Sequence, residues 1–295
     1  GLSPTEIEKL SRAYIGAFYQ NLGAQKDVPA PDVYTTPQIM AWMLDEYEKL
    51  VGHAEPAIIT GKPISAGGSE GRDTATAQGG VYVLQALLQK VSWGTKLKIA
   101  IQGFGNAGLT VAEILQADGH QIIAVADSKG AIYYEAGLDI AALKQHKTTT
   151  GSVRDFPSSR NITDQELFAL PLDILILAAL DNQITASNAA TVQVKAILEL
   201  ANGPVSPEAD EILQQKNIYV IPDVLANSGG VIVSYLEWKQ NLANEHWERE
   251  KVLGQMKELI VDAFDKIYSL SEEKKISLRR AAFVLALERL IAAKR

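Results

Sequence analysis

Residues 96–117 read KLKIAIQGFGNAGLTVAEILQA, and this stretch decides the fold. A short apolar run, KLKIAIQ, runs into a glycine turn, and the turn runs into a helical pattern over Leu109–Ala117. The spacing Gly103, Gly105, Gly108 has a physical reading. The first glycine permits a tight turn, the second lets backbone approach a pyrophosphate, and the third allows helix and strand to pack closely. Phe104, Asn106 and Ala107 fill the turn, and the helix opening there would face phosphates with free N–H groups and a partial positive charge. Asp127 closes the next apolar run, QIIAVAD, about 20 residues on, followed by Ser128. A carboxylate there would accept hydrogen bonds from adenosine ribose hydroxyls and repel a 2′-phosphate. The expected cofactor is therefore NAD, and Lys129 close by leaves NADP open.

Outward from this unit the chain alternates strand and helix. AIYY, LDILILAAL, AILELA and NIYVIP are apolar runs of buried-strand length. Between them DIAALKQHK, ITDQEL (Thr163 and Glu166 at capping-box spacing), Ser187–Val192 and Pro207–Gln215 read as helices. Alternation of this kind predicts an α/β fold with a doubly wound parallel sheet. Residues 231–295 carry only helical periodicity. At the front, Ile7, Leu10, Tyr14, Phe18 and Leu22 make an amphipathic helix over Ser3–Leu22, and a second helix is expected from Thr36 or Pro37 to Leu50. The stretch TGKPISAGGSEGRDTATAQGG, residues 60–80, reads as a loop or hinge that buries little. The expected domains are 1–80, 81–230 and 231–295.

Composition narrows the classes. The chain has 295 residues, 47% of them hydrophobic, a net charge of −7 and no cysteine. Dominant disorder and a disulfide scaffold are excluded. The acidic balance without a basic stripe argues against nucleic acid as partner. No run approaches a membrane span, and the expected location is the cytoplasm. Four scattered histidines show no ligand spacing, so no metal is expected. Asp32, in VPAPDVYT, sits in a proline-framed loop as a functional carboxylate or a turn or helix-cap residue. Arg72 and Thr76 lie among glycines, as site residues or as a solvated loop and helix start. NSGGV, Asn227–Val231, is an anion-binding backbone nest or a simple turn.

Five blocks, in order along the chain, resemble the signatures of the glutamate/leucine/phenylalanine/valine dehydrogenase family, and glutamate dehydrogenase of the hexameric bacterial–archaeal type within it. They are DVPAPDVYTTPQIMAWMLDEYEKL, ITGKPISAGGSEGRDTAT, IAIQGFGNAG, ANGPVSPEADEIL and NSGGVIVSYLEWKQN. The resemblance implies a Rossmann domain with a partial substrate domain before it and C-terminal helices packing across the cleft. It implies reversible NAD(P)-dependent oxidative deamination of L-glutamate to 2-oxoglutarate and ammonia, in a homo-oligomer. By resemblance Asp32 is the catalytic aspartate that moves a proton to and from the amine. Ala30, Thr76, Val231 and Ser234 fall on the amino-acid pocket, and the Ser234 hydroxyl favours glutamate over apolar side chains. Arg72, Thr76, Asn202 and Asn227 match positions lining the nicotinamide half of the cofactor site.

One departure from the family pattern is large. The glycine- and lysine-rich stretch whose lysines bind the substrate carboxylates has no counterpart in these residues, and Lys9, Lys26 and Lys62 lie in other contexts. The expectation is a truncated form with little activity alone. Two alternatives stand beside it: a non-catalytic NAD-binding regulatory or assembly module, and a dehydrogenase of leucine, phenylalanine or valine.

Overall fold

The structure is a computed structural model that describes residues 1–32 and 34–294. These fall into two compact units, each assembled from separate stretches: 1–75 with 230–256, and 76–229 with 257–295. Along the chain, α1 (Pro4–Phe18), α2 (Pro37–Val51) and α3 (Ala75–Lys90) lead to β1 (Lys98–Gln102). Then come α4 (Asn106–Ala117), β2 (Gln121–Asp127), β3 (Gly130–Tyr133), α5 (Ile140–Thr150), β4 (Arg160–Ile162), α6 (Asp164–Phe168) and β5 (Ile174–Leu177). The chain closes with β6 (Ala196–Glu199), α7 (Pro207–Gln215), β7 (Tyr219–Ile221), α8 (Asp223–Ala226), α9 (Gly229–Ala243), α10 (Arg249–Lys274) and α11 (Leu278–Ala293).

In the first unit Ser3 and Glu6 form the capping box that starts α1, with Pro4 in the first turn. The helix ends at Phe18, short of the expected Leu22. Asn21 and Gly23 are poor helix formers, and the chain turns there while Leu22 stays in the core. Ile15 of α1 and Met40, Met43, Leu44 and Tyr47 of α2 bury that core against Ile58 and Ile59.

The second unit is built on a seven-stranded sheet of order β4-β3-β2-β1-β5-β6-β7. The five strands from β2 to β7 through β1 are parallel, while β3 and β4 add an antiparallel edge. The parallel strands are almost entirely buried, as expected of a sheet covered on both faces. After β1 the chain passes to β2 on one side, and β5 lies on the other. The carboxyl ends of β1 and β5 therefore frame the crevice where doubly wound sheets bind ligands.

Two local expectations fail for stated reasons. Ser187–Val192 forms only a 3-10 turn, Ala189–Thr191. Inside the segment the Thr191 hydroxyl donates to the Asn188 carbonyl at 2.8 Å, competing for an acceptor that a continuing helix would use. Residues 60–80 are not a little-buried loop. Helix α3 already starts at Ala75, and Gly61, Lys62, Gly68, Ser69 and Gly71 are buried. Glycine makes this possible, since a Cβ on Gly68 would fall 2.1 Å from the Lys62 carbonyl oxygen. Among the described residues no helix is long and apolar enough to cross a membrane.

Candidate functional site

In the sheet unit, the glycine turn after β1 has the geometry its spacing demands. Gly103 has φ +100°, and a Cβ there would lie 2.5 Å from the Ala178 carbonyl carbon just beyond β5. A Cβ on Gly108 would lie 1.7 Å from the Gly103 carbonyl oxygen, so the first turn of α4 is pressed onto the loop with no room for a side chain. Gly105 differs: it is exposed, with nothing within 4 Å of where a Cβ would sit. It is the N-cap of α4 and offers no side-chain cap, so the N–H groups of Asn106, Ala107 and Gly108 open the helix with no intrahelical acceptor. Open space above a glycine next to unsatisfied amides fits a pyrophosphate.

Asp127, at the end of β2, is already engaged. Its Oδ1 accepts from the Lys129 N–H at 2.9 Å, and its Oδ2 accepts from the Val153 N–H at 2.9 Å and lies 3.3 Å from Lys147 Nζ. Its side chain is only 4% exposed. Of roughly four lone-pair positions on a carboxylate, three are in use. Lys147 also donates to the Phe104 carbonyl at 2.8 Å, so one ammonium ties the glycine turn to the acid. Sequence reading missed Lys147, which lies on α5 with no motif to mark it.

Asn202 and Asn227 come together at the carboxyl ends of β6 and β7: Asn227 Nδ2 donates to Asn202 Oδ1 at 2.7 Å and lies 3.4 Å from the Leu200 carbonyl oxygen. Thr76 lies in the first turn of α3. One turn on, Gly79 would place a Cβ 2.9 Å from Gly229 Cα, and Gly80 would place one 2.5 Å from Leu200 Cδ2. The start of α3 is thereby packed against the same loops. Behind them Glu199, fully buried, accepts from Arg279 Nη2 at 2.6 Å and from the Asp223 N–H at 2.8 Å. Burial pushes the Glu199 carboxyl up to about 7, against the pull of Arg279.

In the first unit, a cavity of about 630 Å³ is lined by Asp32, Thr35, Lys62, Arg72 and Arg249 among others. Pro31 packs where a Cβ on Gly61 would sit (2.4 Å to Pro31 Cγ), and the Thr60 N–H donates to the Pro29 carbonyl, fixing the proline-framed loop. Asp32 opens a turn closed by Thr35, whose Oγ1 accepts from the Asp32 N–H at 2.7 Å and donates to its carbonyl at 2.6 Å. Thr36, not Asp32, caps α2. The carboxylate of Asp32 is exposed.

Arg72 is half-buried, its Nε has no hydrogen-bond partner, and desolvation holds its pKa below the ordinary value although Glu237 opposes this. A desolvated guanidinium in a cavity is a receptor for an anion. The loop that carries it is fastened to α9 by a row of polar side chains. Glu237 accepts from the Gly61 N–H at 2.9 Å and pairs with Lys62 Nζ at 2.6 Å, both side chains fully buried. Gln240 donates to Ser69 Oγ at 2.9 Å and Asn241 to the Gly67 carbonyl at 2.8 Å. At the other end Arg249 holds Asp73 at 3.0 Å and Thr74 at 2.6 Å. Ser234 is buried one turn before Glu237, while Ala30 and Val231 are exposed. None of these three lines the cavity of Asp32 and Arg72.

Residues 67–295 match the family model described as glutamate/leucine/phenylalanine/valine dehydrogenase, and residues 1–49 match the model for that family's dimerisation domain. An NADP-specific glutamate dehydrogenase of Synechocystis is 44% identical over 98% of this chain and 70% of its own length. An NAD-specific glutamate dehydrogenase of Staphylococcus aureus is 44% identical over 100% of this chain and 71% of its own length. Among solved structures, the hetero-hexameric glutamate dehydrogenase of Thermus thermophilus in a leucine-bound form superposes with a TM-score of 0.92, at 36% identity, over 98% of this chain and 69% of that one. Glutamate dehydrogenase of Peptoniphilus asaccharolyticus gives a TM-score of 0.85 at 34% identity, over 99% and 70%.

Proposed function

The chain belongs to the glutamate/leucine/phenylalanine/valine dehydrogenase family, and from that premise we propose that it carries out NAD(P)-dependent oxidative deamination of L-glutamate to 2-oxoglutarate and ammonia. The observation that carries the cofactor half is Gly105: open space over a glycine at an uncapped helix start, between two glycines that tolerate no side chain. Gly103–Gly108 would hold the pyrophosphate, the remaining acceptor position of Asp127 a ribose hydroxyl with Ser128 beside it, and Thr76, Asn202 and Asn227 the nicotinamide side. The bound dinucleotide supplies the acceptor for the pair of electrons leaving the substrate α-carbon.

The chain's own groups do the rest. Arg72 receives an anionic group in its cavity without giving up a partner first, so binding there costs little rearrangement. Asp32, on a stiff turn in the same cavity, takes the proton that the amine sheds and returns one in the reverse direction. The buried Glu237 and Gln240, with the half-buried Asn241, keep the Arg72 loop in place. Ala30, Val231 and Ser234 shape the amino-acid pocket in this proposal, with the Ser234 hydroxyl favouring a carboxylate side chain. Asp32→Asn should cut turnover by about 10²-fold or more while NADH affinity stays within twofold, since the amide cannot accept the proton.

Self-association is part of the proposal. Leu10, Tyr14 and Phe18 stand 61%, 48% and 47% exposed at four-residue spacing on α1, inside the segment matching the dimerisation model. Light scattering of the chain and of Tyr14→Lys tests it.

The test of function is formation of NAD(P)H from glutamate against leucine and phenylalanine. It is run on this chain alone and joined to the lysine-bearing segment of a family member. Faster turnover of leucine or phenylalanine overturns the substrate assignment. Failure of both proteins to bind NADH overturns the reading as a whole.

A further inference from the structure

The nicotinamide-side loops rest on a buried charge network that none of the site assignments uses. Arg279, on α11, is the cation of the network and touches three carboxylates from three elements. Its Nη2 donates to Glu199 at the end of β6 (2.6 Å), its Nη1 to Asp223 at the start of α8 (3.3 Å), and its Nε lies 3.5 Å from Asp210 in α7. The two nearer carboxylates then reach the site. Glu199 accepts from the Asp223 N–H (2.8 Å), and Asp223 Oδ2 accepts from the Gly203 N–H (2.8 Å). Gly203 follows Asn202 directly, and Asn227 caps the C-terminal end of the helix that Asp223 begins. One guanidinium therefore fixes both chain segments whose asparagines meet at 2.7 Å.

A purely structural pair would not need this arrangement. Burying Glu199 completely beside two further carboxylates carries a desolvation cost that apolar packing would avoid. What the network supplies is placement. Glu199 and Asp223 each accept from a backbone N–H in the segments to be placed, and Arg279 sets the position of both acceptors.

We propose that Arg279 is a positioning residue for cofactor recognition: through Glu199 and Asp223 it presents Asn202 and Asn227 to the nicotinamide end of the dinucleotide. The inference rests on the assignment of those asparagines to the nicotinamide side, and the experiment separates the two claims. It compares binding of NADH with binding of ADP-ribose, which lacks the nicotinamide, by calorimetry on the full chain. The variants are Arg279→Met, Arg279→Lys, Asp223→Asn and Asn202→Ala, together with the double variant Asn202→Ala/Arg279→Met.

Arg279→Met and Asp223→Asn should raise the Kd for NADH by about three- to tenfold and leave that for ADP-ribose within about twofold. Arg279→Lys should recover part of the loss. The double variant should lose less NADH affinity than the two single losses combined, because both changes act on one asparagine pair. Asp223 is 23% exposed on its side chain, and its replacement keeps the closer pair of Arg279 with the buried Glu199, so this variant reads the effect even if Arg279→Met does not fold. Equal losses for both ligands, or no loss for NADH, overturn the positioning role. Unchanged NADH binding in Asn202→Ala overturns the site assignment beneath it.

Discussion

Two alanine substitutions three residues apart, at Gly105 and Gly108, should behave in opposite ways. At Gly108 a Cβ would stand 1.7 Å from the Gly103 carbonyl oxygen, and that atom is backbone. Relief requires moving the first turn of α4 or the turn itself by more than 1 Å, roughly the gap to an ordinary contact. Overpacking of this kind costs at least about 2 kcal/mol, which lowers Tm by about 3 °C at roughly 2.1 cal/mol/K of unfolding entropy per residue. At Gly105 a Cβ meets nothing within 4 Å, and φ −85°, ψ −162° suits any L residue. The reduced entropy of the unfolded chain offsets the weaker N-cap, leaving stability changed by less than about 0.5 kcal/mol. The same Cβ projects into the space assigned to the pyrophosphate. Displacing a phosphate from three converging N–H groups should raise the Kd for NADH at least about tenfold, or 1.4 kcal/mol. Thermal unfolding and NADH titration of both variants give four numbers. Gly105→Ala binding NADH like the parent, or losing stability to the extent Gly108→Ala does, would refute the assignment.

Three other outcomes follow from geometry already described. Lys62→Met leaves Glu237 buried and unpaired and should cost about 3–5 kcal/mol in urea unfolding, whereas Lys62→Met/Glu237→Leu should recover much of it; a double variant as unstable as the single one contradicts the pairing. Glu199 binds its proton more tightly folded (about 7) than unfolded (4.5), so its contribution is complete below about pH 4.5 and is lost as pH rises through 7. That shift corresponds to roughly 3 kcal/mol as an upper bound, and Glu199→Gln should flatten the decline between about pH 5 and 8; parallel profiles would exclude Glu199 as its source. Lys147→Met removes the cation beside Asp127, so the ratio of NADP to NAD affinity should fall about tenfold through repulsion of the 2′-phosphate. An unchanged ratio would mean that Lys147 does not offset the acid.

The sheet and its glycine turn were legible because their causes are local. Short apolar runs, capping residues such as Thr163 and Ser206, and glycines at fixed spacing act within one or two turns of chain. The 3-10 turn at Ala189–Thr191 reads as a helix in the sequence because periodicity does not register a hydroxyl competing for a backbone carbonyl. The candidate site was legible where a motif marks it, at Gly103–Gly108 and Asp127. Lys62 was set aside because its partner Glu237 lies 175 residues away on another helix. Lys147, 43 residues beyond the carbonyl it holds, had no signal either. Arg72 stands out in the sequence only as a charged residue among glycines, since a buried Nε left without an acceptor is a property of packing.

The interleaving of the two units has a consequence for biosynthesis. Residues 1–75 leave the ribosome well before 230–256, the stretch that contains Glu237 and Gln240. Until then Lys62 lacks the carboxylate it pairs with and Ser69 the amide it accepts from. The amino-terminal unit must therefore wait, partly assembled, while the whole parallel sheet is synthesised, and a nascent chain released early would expose the glycine-rich segment to proteases and chaperones.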